Sequence, residues 1–238
     1  MRRLIIVSIT GGLFLGGSLF LKGTLSGPLL AAGGGSISGK VMLVGNAPQA
    51  KKIEITKDKE RCGSEKVSEE LVVSADRGIK NSVVSVVGGK GSVAKAEGPA
   101  TLDQKGCSFN PHVLVVAPGA PVDILNNDGI LHNFHTYSSK NGAINKAQPA
   151  FKKKMTETFS QPEIIKVTCD AHAWMVGWVV VTDQPAATTD GAGFFKLTDV
   201  PAGNHTLEIW HETLGKMTKQ VSVKAGEETK VTIELTKK

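Results

Sequence analysis

The chain has 238 residues, 40% of them hydrophobic and 21% charged, which is enough for one large or two small domains and too apolar for a disordered or collagen-like polymer. Its formal charge of +6 falls by three, to +3, once Arg2, Arg3 and Lys22 of the N-terminal segment are set aside, and only 5% of residues are aromatic, so a nucleic-acid-binding surface is excluded. With 27 glycines and 10 prolines punctuating short runs rich in valine and threonine, the composition points to an all-β chain with frequent reversals.

Residues 1–32 stand apart from that pattern. Met1-Arg2-Arg3 is a positive start, Leu4 to Leu21 is an apolar run, and small residues around Ala32 suit cleavage, as in a signal peptide. The apolar run is at the lower length limit for a membrane span, so an uncleaved N-terminal anchor is the other reading. Both imply export to a periplasmic or extracytoplasmic compartment.

Ile37 to Leu43 alternates as a strand and ends at the turn Gly45-Asn-Ala-Pro48; a second strand-like run follows at Lys52 to Thr56. Residues 57–70, rich in Lys and Glu and containing Cys62, read as a solvated surface excursion tied down by a disulfide. Ser82 to Val87 is strongly β-branched and runs into Gly88-Gly-Lys-Gly91, which lacks phosphate-loop spacing and reads as a plain loop.

From residue 101 the strand signals sharpen. Cys107 to Val116 leads through Pro118-Gly119 into Val122 to Leu125, then the turn Asn126-Asn-Asp-Gly129 and the run Ile130 to Tyr137. His132 and His135 are three apart and therefore face opposite sides of a strand, which makes His135 a solvent-facing bystander. Residues 138–155 carry Lys140, Lys146 and Lys152-Lys-Lys154, a solvated loop or a basic patch for an acidic partner. In Glu163 to Cys169, Ile165, Val167 and Cys169 share one face, so the cysteine sulfur turns inward. Gly177 to Thr182 closes this region.

The tail holds four more strand-like runs, beginning at Phe194, Thr206, Thr218 and Thr229. About 50 residues make a marginal core, so this part should borrow strands, with Ile37 to Leu43 and Val83 to Val87 as the candidates.

Cys169, His172 and Met175 fall within one short turn between two strand-like runs. Thiolate, imidazole and thioether are soft or borderline donors, and one Cys, two His and a weak axial Met make a blue-copper ligand set. The missing histidine is then His132, 37 residues before Cys169. Three cysteines in an exported chain leave one over if two are cross-linked. With Cys169 as a metal thiolate, Cys62 and Cys107 are the disulfide candidates; a cross-link from Cys169 to one of them is the alternative. His112, His205 and His211 lack ligand-like spacing.

Residues 105–183 resemble a cupredoxin domain of the plastocyanin and amicyanin kind. The motifs that carry this are Phe109-Asn-Pro, Pro118-Gly-Ala-Pro-Val122, Asn126-Asn-Asp-Gly129 with His132-Asn133, and Cys169-Asp-Ala-His-Ala-Trp-Met175. The resemblance implies one type 1 copper ion held by His132, Cys169, His172 and Met175, with Asn133 bracing the ligand loop. Asp170, where a small or hydroxyl residue is common, would place a charge near the metal. Similarity to plastocyanin-like proteins of methylamine utilisation gives a context without defining a partner. The run from Thr189 to Leu235 resembles prealbumin-like or carboxypeptidase-regulatory-like sandwiches through Asp190-Gly-Ala-Gly193 and Pro201-Ala-Gly203, and Ile37-Ser-Gly-Lys-Val resembles the opening strand of such modules.

The expected fold is thus all-β: a cupredoxin Greek-key β-sandwich plus a second small antiparallel sandwich, split around the first. The expected division is 1–32 signal peptide or anchor, 33–100 N-terminal β segment, 101–183 copper domain and 184–238 C-terminal sandwich. The expected function is single-electron transfer with a redox partner such as a cytochrome or dehydrogenase, leaving by the edge of His172 across an apolar face of Ile130, Ala171 and Ala173. A copper-binding or sensory module without electron transfer is the alternative. No motif of a hydrolase or zinc protease is present and no second histidine cluster offers an open metal position, so an enzyme is not expected.

Overall fold

The β-branched runs and their glycine and proline turns become eighteen strands and one four-residue helix in a computed structural model that describes residues 34–89 and 99–237. Residues 1–32, read as signal or anchor, lie outside the described residues, and among the described ones no helix is long and apolar enough to cross a membrane.

In chain order the elements are β1 (Gly35–Val44), β2 (Lys52–Glu54), α1 (Lys59–Cys62), β3 (Glu65–Val67), β4 (Val83–Val86), β5 (Ala100–Gln104), β6 (Phe109–Asn110) and β7 (Val113–Val116). Next come β8 (Pro121–Asn126), β9 (His132–Tyr137), β10 (Asn145–Gln148), β11 (Lys154–Thr158), β12 (Glu163–Thr168) and β13 (Val176–Val181). The tail supplies β14 (Ala186–Thr188), β15 (Phe194–Val200), β16 (Gly203–His211), β17 (Gly215–Val223) and β18 (Glu228–Thr236).

A first sandwich stacks the five-stranded sheet β10-β9-β12-β13-β7 on the four-stranded sheet β11-β8-β5-β6. Alternation fixes which side chains fill it. In β12, Ile165 and Val167 are buried while Lys166 between them is exposed, and Phe109, Phe134, Phe159, Leu102 and Ile124 complete a core with less than 2% exposure each. Each such side chain contributes roughly 1.5–3 kcal/mol relative to leaving it in water. Two pairs in this sandwich, β5 with β8 and β7 with β13, run parallel. Parallel neighbours need long connections, and the chain supplies them by crossing between the sheets.

The second sandwich stacks β15-β1-β18 on β14-β4-β16-β17. β1 is its central strand in the smaller sheet, antiparallel to β15 and parallel to β18, and β4 lies between β14 and β16. The marginal core of the tail is therefore completed by strands that precede the first sandwich in the chain, and the sandwich is split around it. Close approach enforces glycine at one joint: a Cβ on Gly78 would sit 1.8 Å from the Ala192 carbonyl oxygen. The described residues of the expected 33–100 segment divide between the two sandwiches. β1 and β4 belong to the second sandwich, whereas Ile55 and Cys62 join the core of the first.

Val83, Val113, Val180, Ala186 and Trp210 form a smaller apolar cluster where the sandwiches meet. Trp178 packs edge-on against Trp210 with centroids 5.2 Å apart, and its indole N–H donates to Glu212 at 2.8 Å. His112 contacts the same Glu212 carboxylate, so a buried imidazole–carboxylate hydrogen bond and two indoles join the two halves.

The 57–70 excursion is tied down by a disulfide. Cys62, at the end of α1, is disulfide-bonded to Cys107 across 45 residues, with a Cα–Cα distance of 5.4 Å. Cys169 is the free cysteine.

Glu163, the first residue of β12, fixes the 138–141 loop. Its carboxylate accepts hydrogen bonds from the Ser138 hydroxyl at 2.5 Å, the Ser139 N–H at 2.7 Å and the Asn141 amide at 3.0 Å. Burial works to raise its pKa, but the hydrogen bonds from Ser138, Ser139 and Asn141 prevail and hold it at about 2, below the ordinary 4.5. A depressed folded-state pKa gives stability that is complete above the unfolded value and is lost as pH falls through the folded one. Glu163→Gln should therefore destabilise the protein by about 1–2 kcal/mol at pH 7 and by almost nothing at pH 2, measured by denaturant unfolding across that range. An equal effect at both pH values would contradict this.

Candidate metal centre

β12 delivers Cys169 as its next inward residue after Val167, and the sulfur-bearing residue is 1% exposed. Tight turns then fold the chain back. The His172 N–H donates to the Cys169 carbonyl at 3.2 Å, the Met175 N–H to the His172 carbonyl at 2.9 Å, and the Cys169 N–H to the Met175 carbonyl at 3.3 Å. His132 opens β9, the neighbour of β12, and so enters the same end of the sandwich.

Three donor atoms converge there. His132 Nδ1 and His172 Nδ1 are 3.1 Å apart, and Cys169 Sγ lies 3.8 Å from the first and 3.7 Å from the second. A thiolate and two imidazoles bound at about 2.3 Å and 2.0–2.1 Å to one ion put their donor atoms about 3.0–3.8 Å apart over bond angles of roughly 95–120°, so the set fits a single metal ion. Met175, 1% exposed, lies in the same apolar core on the same turn. Thus the structure brings His132, Cys169 and His172 together, with Met175 buried beside them in the chain.

The outer ring nitrogens explain why the Nδ1 atoms face one another. His132 Nε2 is 2.8 Å from Asp128 Oδ2, and His172 Nε2 is 2.8 Å from Asp58 Oδ2. Each carboxylate accepts the Nε2 proton, which leaves an Nδ1 lone pair directed inward; this tautomer follows from the hydrogen-bond network. Two lone pairs at 3.1 Å beside a sulfur repel unless a proton or a metal cation lies between them. Asp128 is itself fixed, accepting from the N–H groups of Gly106 and Cys107 at 2.6 and 2.8 Å. Cys107, Asp128 and His132 also lie together, but Cys107 is committed to the disulfide, which makes this the supporting layer of one centre.

Burial sets the protonation states. It pushes the His132 imidazole below its ordinary range, against the opposing pull of Asp128. Burial likewise pushes the Cys169 thiol up, against N–H donation from Asn133, His172 and Ala171. The site therefore keeps its imidazole neutral and ready to ligate, and it needs a positive charge to hold a thiolate.

Asn133 braces the turn from three directions. Its N–H donates to Cys169 Sγ at 3.3 Å, its side-chain oxygen accepts from the Asp170 N–H at 3.2 Å, and its amide donates to Asn145 at 2.6 Å. Asp170 points away from the cluster: its carboxylate accepts from His135 at 2.9 Å and from Asn145 at 3.0 Å on the surface. His135, on the opposite strand face from His132, stacks on Tyr137. Trp174 packs on His172 with centroids 5.0 Å apart and donates its N–H to the Cys107 carbonyl at 3.3 Å.

One expectation is corrected. The edge of His172 does not form an open face with Ile130, Ala171 and Ala173: the residue is 1% exposed, Asp58 covers its outer nitrogen, and Lys57 reaches over the turn toward the Ala171 carbonyl at 3.4 Å. Sequence reasoning missed Asp58 and Asp128. Asp128 had a local signal, four residues before His132 in a turn; Asp58 lies 114 residues from its partner and had none.

A PEGA domain model matches residues 194–238, the tail in which a prealbumin-like or carboxypeptidase-regulatory-like module was expected. No protein of curated function matches the sequence. Among solved structures, the chain is similar to an amicyanin variant in its reduced Cu(I) form at pH 4, at 21% identity and a TM-score of 0.33, covering 42% of this chain and 98% of that one. It is also similar to a purple cupredoxin from Nitrosopumilus maritimus, at 21% identity and a TM-score of 0.30, covering 35% and 99%. A copper-containing nitrite reductase from Thermus scotoductus is similar at 24% identity and a TM-score of 0.31, covering 40% of this chain and a quarter (25%) of that one.

Replacing Asp128 by alanine removes the acceptor that orients His132 and should weaken binding of Co(II), a divalent probe of thiolate sites, by about 10–100-fold in competition with a chelator. Unchanged affinity would separate Asp128 from the metal centre.

Proposed function

We propose that this protein is an exported blue copper protein that carries single electrons between redox partners. What supports the reading is the convergence of His132 Nδ1, His172 Nδ1 and Cys169 Sγ within 3.1–3.8 Å, with both outer imidazole nitrogens tied to carboxylates. His132, Cys169 and His172 would be the strong ligands and Met175 a weak one. Bound copper would supply a one-electron couple between Cu(I) and Cu(II).

The chain's own residues then have three tasks. Asp58 and Asp128 hold the imidazoles in one tautomer and one orientation. Asn133 donates to the sulfur and ties the ligand turn to β9 and β10. Phe109, Phe134 and Trp174, packed in the surrounding core, keep water from the centre. A ligand set fixed in this way changes little with oxidation state, which suits a carrier, and a buried set without an open position does not suit a substrate.

The disulfide supports an oxidising compartment, in line with export past residues 1–32, cleaved or as an anchor. For partner docking, the loops 127–131 and 149–153 emerge side by side, since Gln148 pairs with His132 and the Asn126 N–H bonds to the Lys153 carbonyl. They expose Leu131 (49%) and Phe151 (84%), the latter followed in the chain by the exposed Lys152 and Lys153. Such a surface suits an acidic partner of the cytochrome or dehydrogenase class. The closed edge of His172 favours a second reading, a copper-holding or sensory module attached to the PEGA-matching tail. Reversible voltammetry of the copper-loaded protein separates the two, a carrier giving a reversible one-electron wave.

Adding Cu(II) to protein lacking residues 1–32 should produce an intense thiolate-to-copper absorption band in the red, absent from Cys169→Ser and shifted, with copper retained, in Met175→Leu. No band, or a band that survives Cys169→Ser, would overturn the assignment.

A further inference from the structure

Asp58 is placed where an N-cap residue belongs, just before α1, yet its side chain makes no capping hydrogen bond. An aspartate there ordinarily accepts from the N–H groups of the first helical turn. This carboxylate instead reaches His172 Nε2 at 2.8 Å, across 114 residues of sequence. The backbone of Asp58 adopts the left-handed conformation (φ 50, ψ 40) and still anchors the helix through its carbonyl, which accepts from the N–H groups of Arg61 and Cys62.

The short helix is too small to hold a position alone. It is held by Cys62, whose partner Cys107 gives its N–H to Asp128. A single covalent bridge therefore connects the carboxylate on His172 with the carboxylate on His132, in the order His172, Asp58, α1, Cys62, Cys107, Asp128, His132. Trp174, lying on the His172 ring, also bonds to Cys107.

We infer that Asp58 is a positioning residue of the metal centre, delivered from outside the ligand-bearing sandwich by the Cys62–Cys107 bridge, which fixes His172 as the Nε2–H tautomer and seals its outer edge from solvent. The inference rests on the copper reading for its consequence but not for its geometry. With Asp58 in place, His172 cannot turn its ring away from Cys169 without breaking a hydrogen bond to a charged acceptor. A small chelator likewise cannot approach the imidazole from outside.

The test uses full-length protein and three variants. In metal-free protein, nitrogen-15 NMR of the imidazole rings should show His172 as the Nε2–H tautomer, and Asp58→Ala should shift or average those resonances. Asp58→Asn retains an acceptor oxygen and should preserve the tautomer. After Cu(II) loading, extraction by a chelator should be at least about tenfold faster from Asp58→Ala than from the parent or Asp58→Asn. Asp58→Asn should differ by a higher reduction potential, having lost one negative charge. Cys62→Ser/Cys107→Ser, which keeps Asp58 but frees α1, should move toward the Asp58→Ala behaviour. The inference is overturned if His172 is the Nδ1–H tautomer in the parent, or if Asp58→Ala leaves both NMR and extraction unchanged. If the parent shows the Nε2–H tautomer but takes up no copper at the cysteine, the function proposed above fails while the assignment of Asp58 stands.

Discussion

The candidate metal centre depends on one electrostatic constraint: two buried imidazoles donate hydrogen bonds from their outer N–H groups to carboxylates and so turn their lone pairs toward each other and toward a sulfur. His132 and His172 have Nδ1 atoms 3.1 Å apart because Asp128 and Asp58 each hold an Nε2 at 2.8 Å. Without the carboxylates each ring could present either nitrogen or rotate. With them, the inner face is a set of acceptors that only a cation reconciles. The apolar surroundings of Cys169 add to this by making an uncompensated thiolate costly.

Much of the remaining structure can be understood as support for that constraint. The first sandwich supplies adjacent strands, β9 and β12, that bring His132 and Cys169 to one end. Asp128 draws the 106–107 turn beneath His132, and the disulfide extends the hold to α1 and Asp58 on the far side. The second sandwich contributes no atom to the cluster. It is joined to the first by the Trp178–Trp210 contact and by Glu212, and its central strand β1 pairs with β15 and β18 from the other end of the described chain. Its attachment is thus built into the path of the chain, which supplies it with strands from both sides of the first sandwich.

The parts legible in the sequence were those written in local periodicity. Alternation in Ile165, Val167 and Cys169 was enough to place the sulfur inward, and the odd spacing of His132 and His135 was enough to put them on opposite faces. The too-small tail pointed to borrowed strands, since four short runs cannot enclose a core, and β1 and β4 occupy those places. Asp58 was invisible for the opposite reason: its role comes from a fold that carries residue 58 over residue 172, and the Lys- and Glu-rich text around it looks like solvated surface. Asp170 keeps its carboxylate on the surface with His135 and Asn145 while its charge still acts on the Cys169 thiol, so adjacency in sequence gave the charge but not the direction of the side chain. The apolar exit at His172 failed on the same long-range fact, the cover provided by Asp58.

The central question is whether one sulfur and two imidazole nitrogens share a single ion. Copper K-edge X-ray absorption on the copper-loaded protein measures this directly. The expected result is an inner shell containing one short thiolate sulfur and two imidazole nitrogens, with the sulfur lost in Cys169→Ser. An inner shell of nitrogen and oxygen alone, in protein carrying one copper per chain, would contradict it.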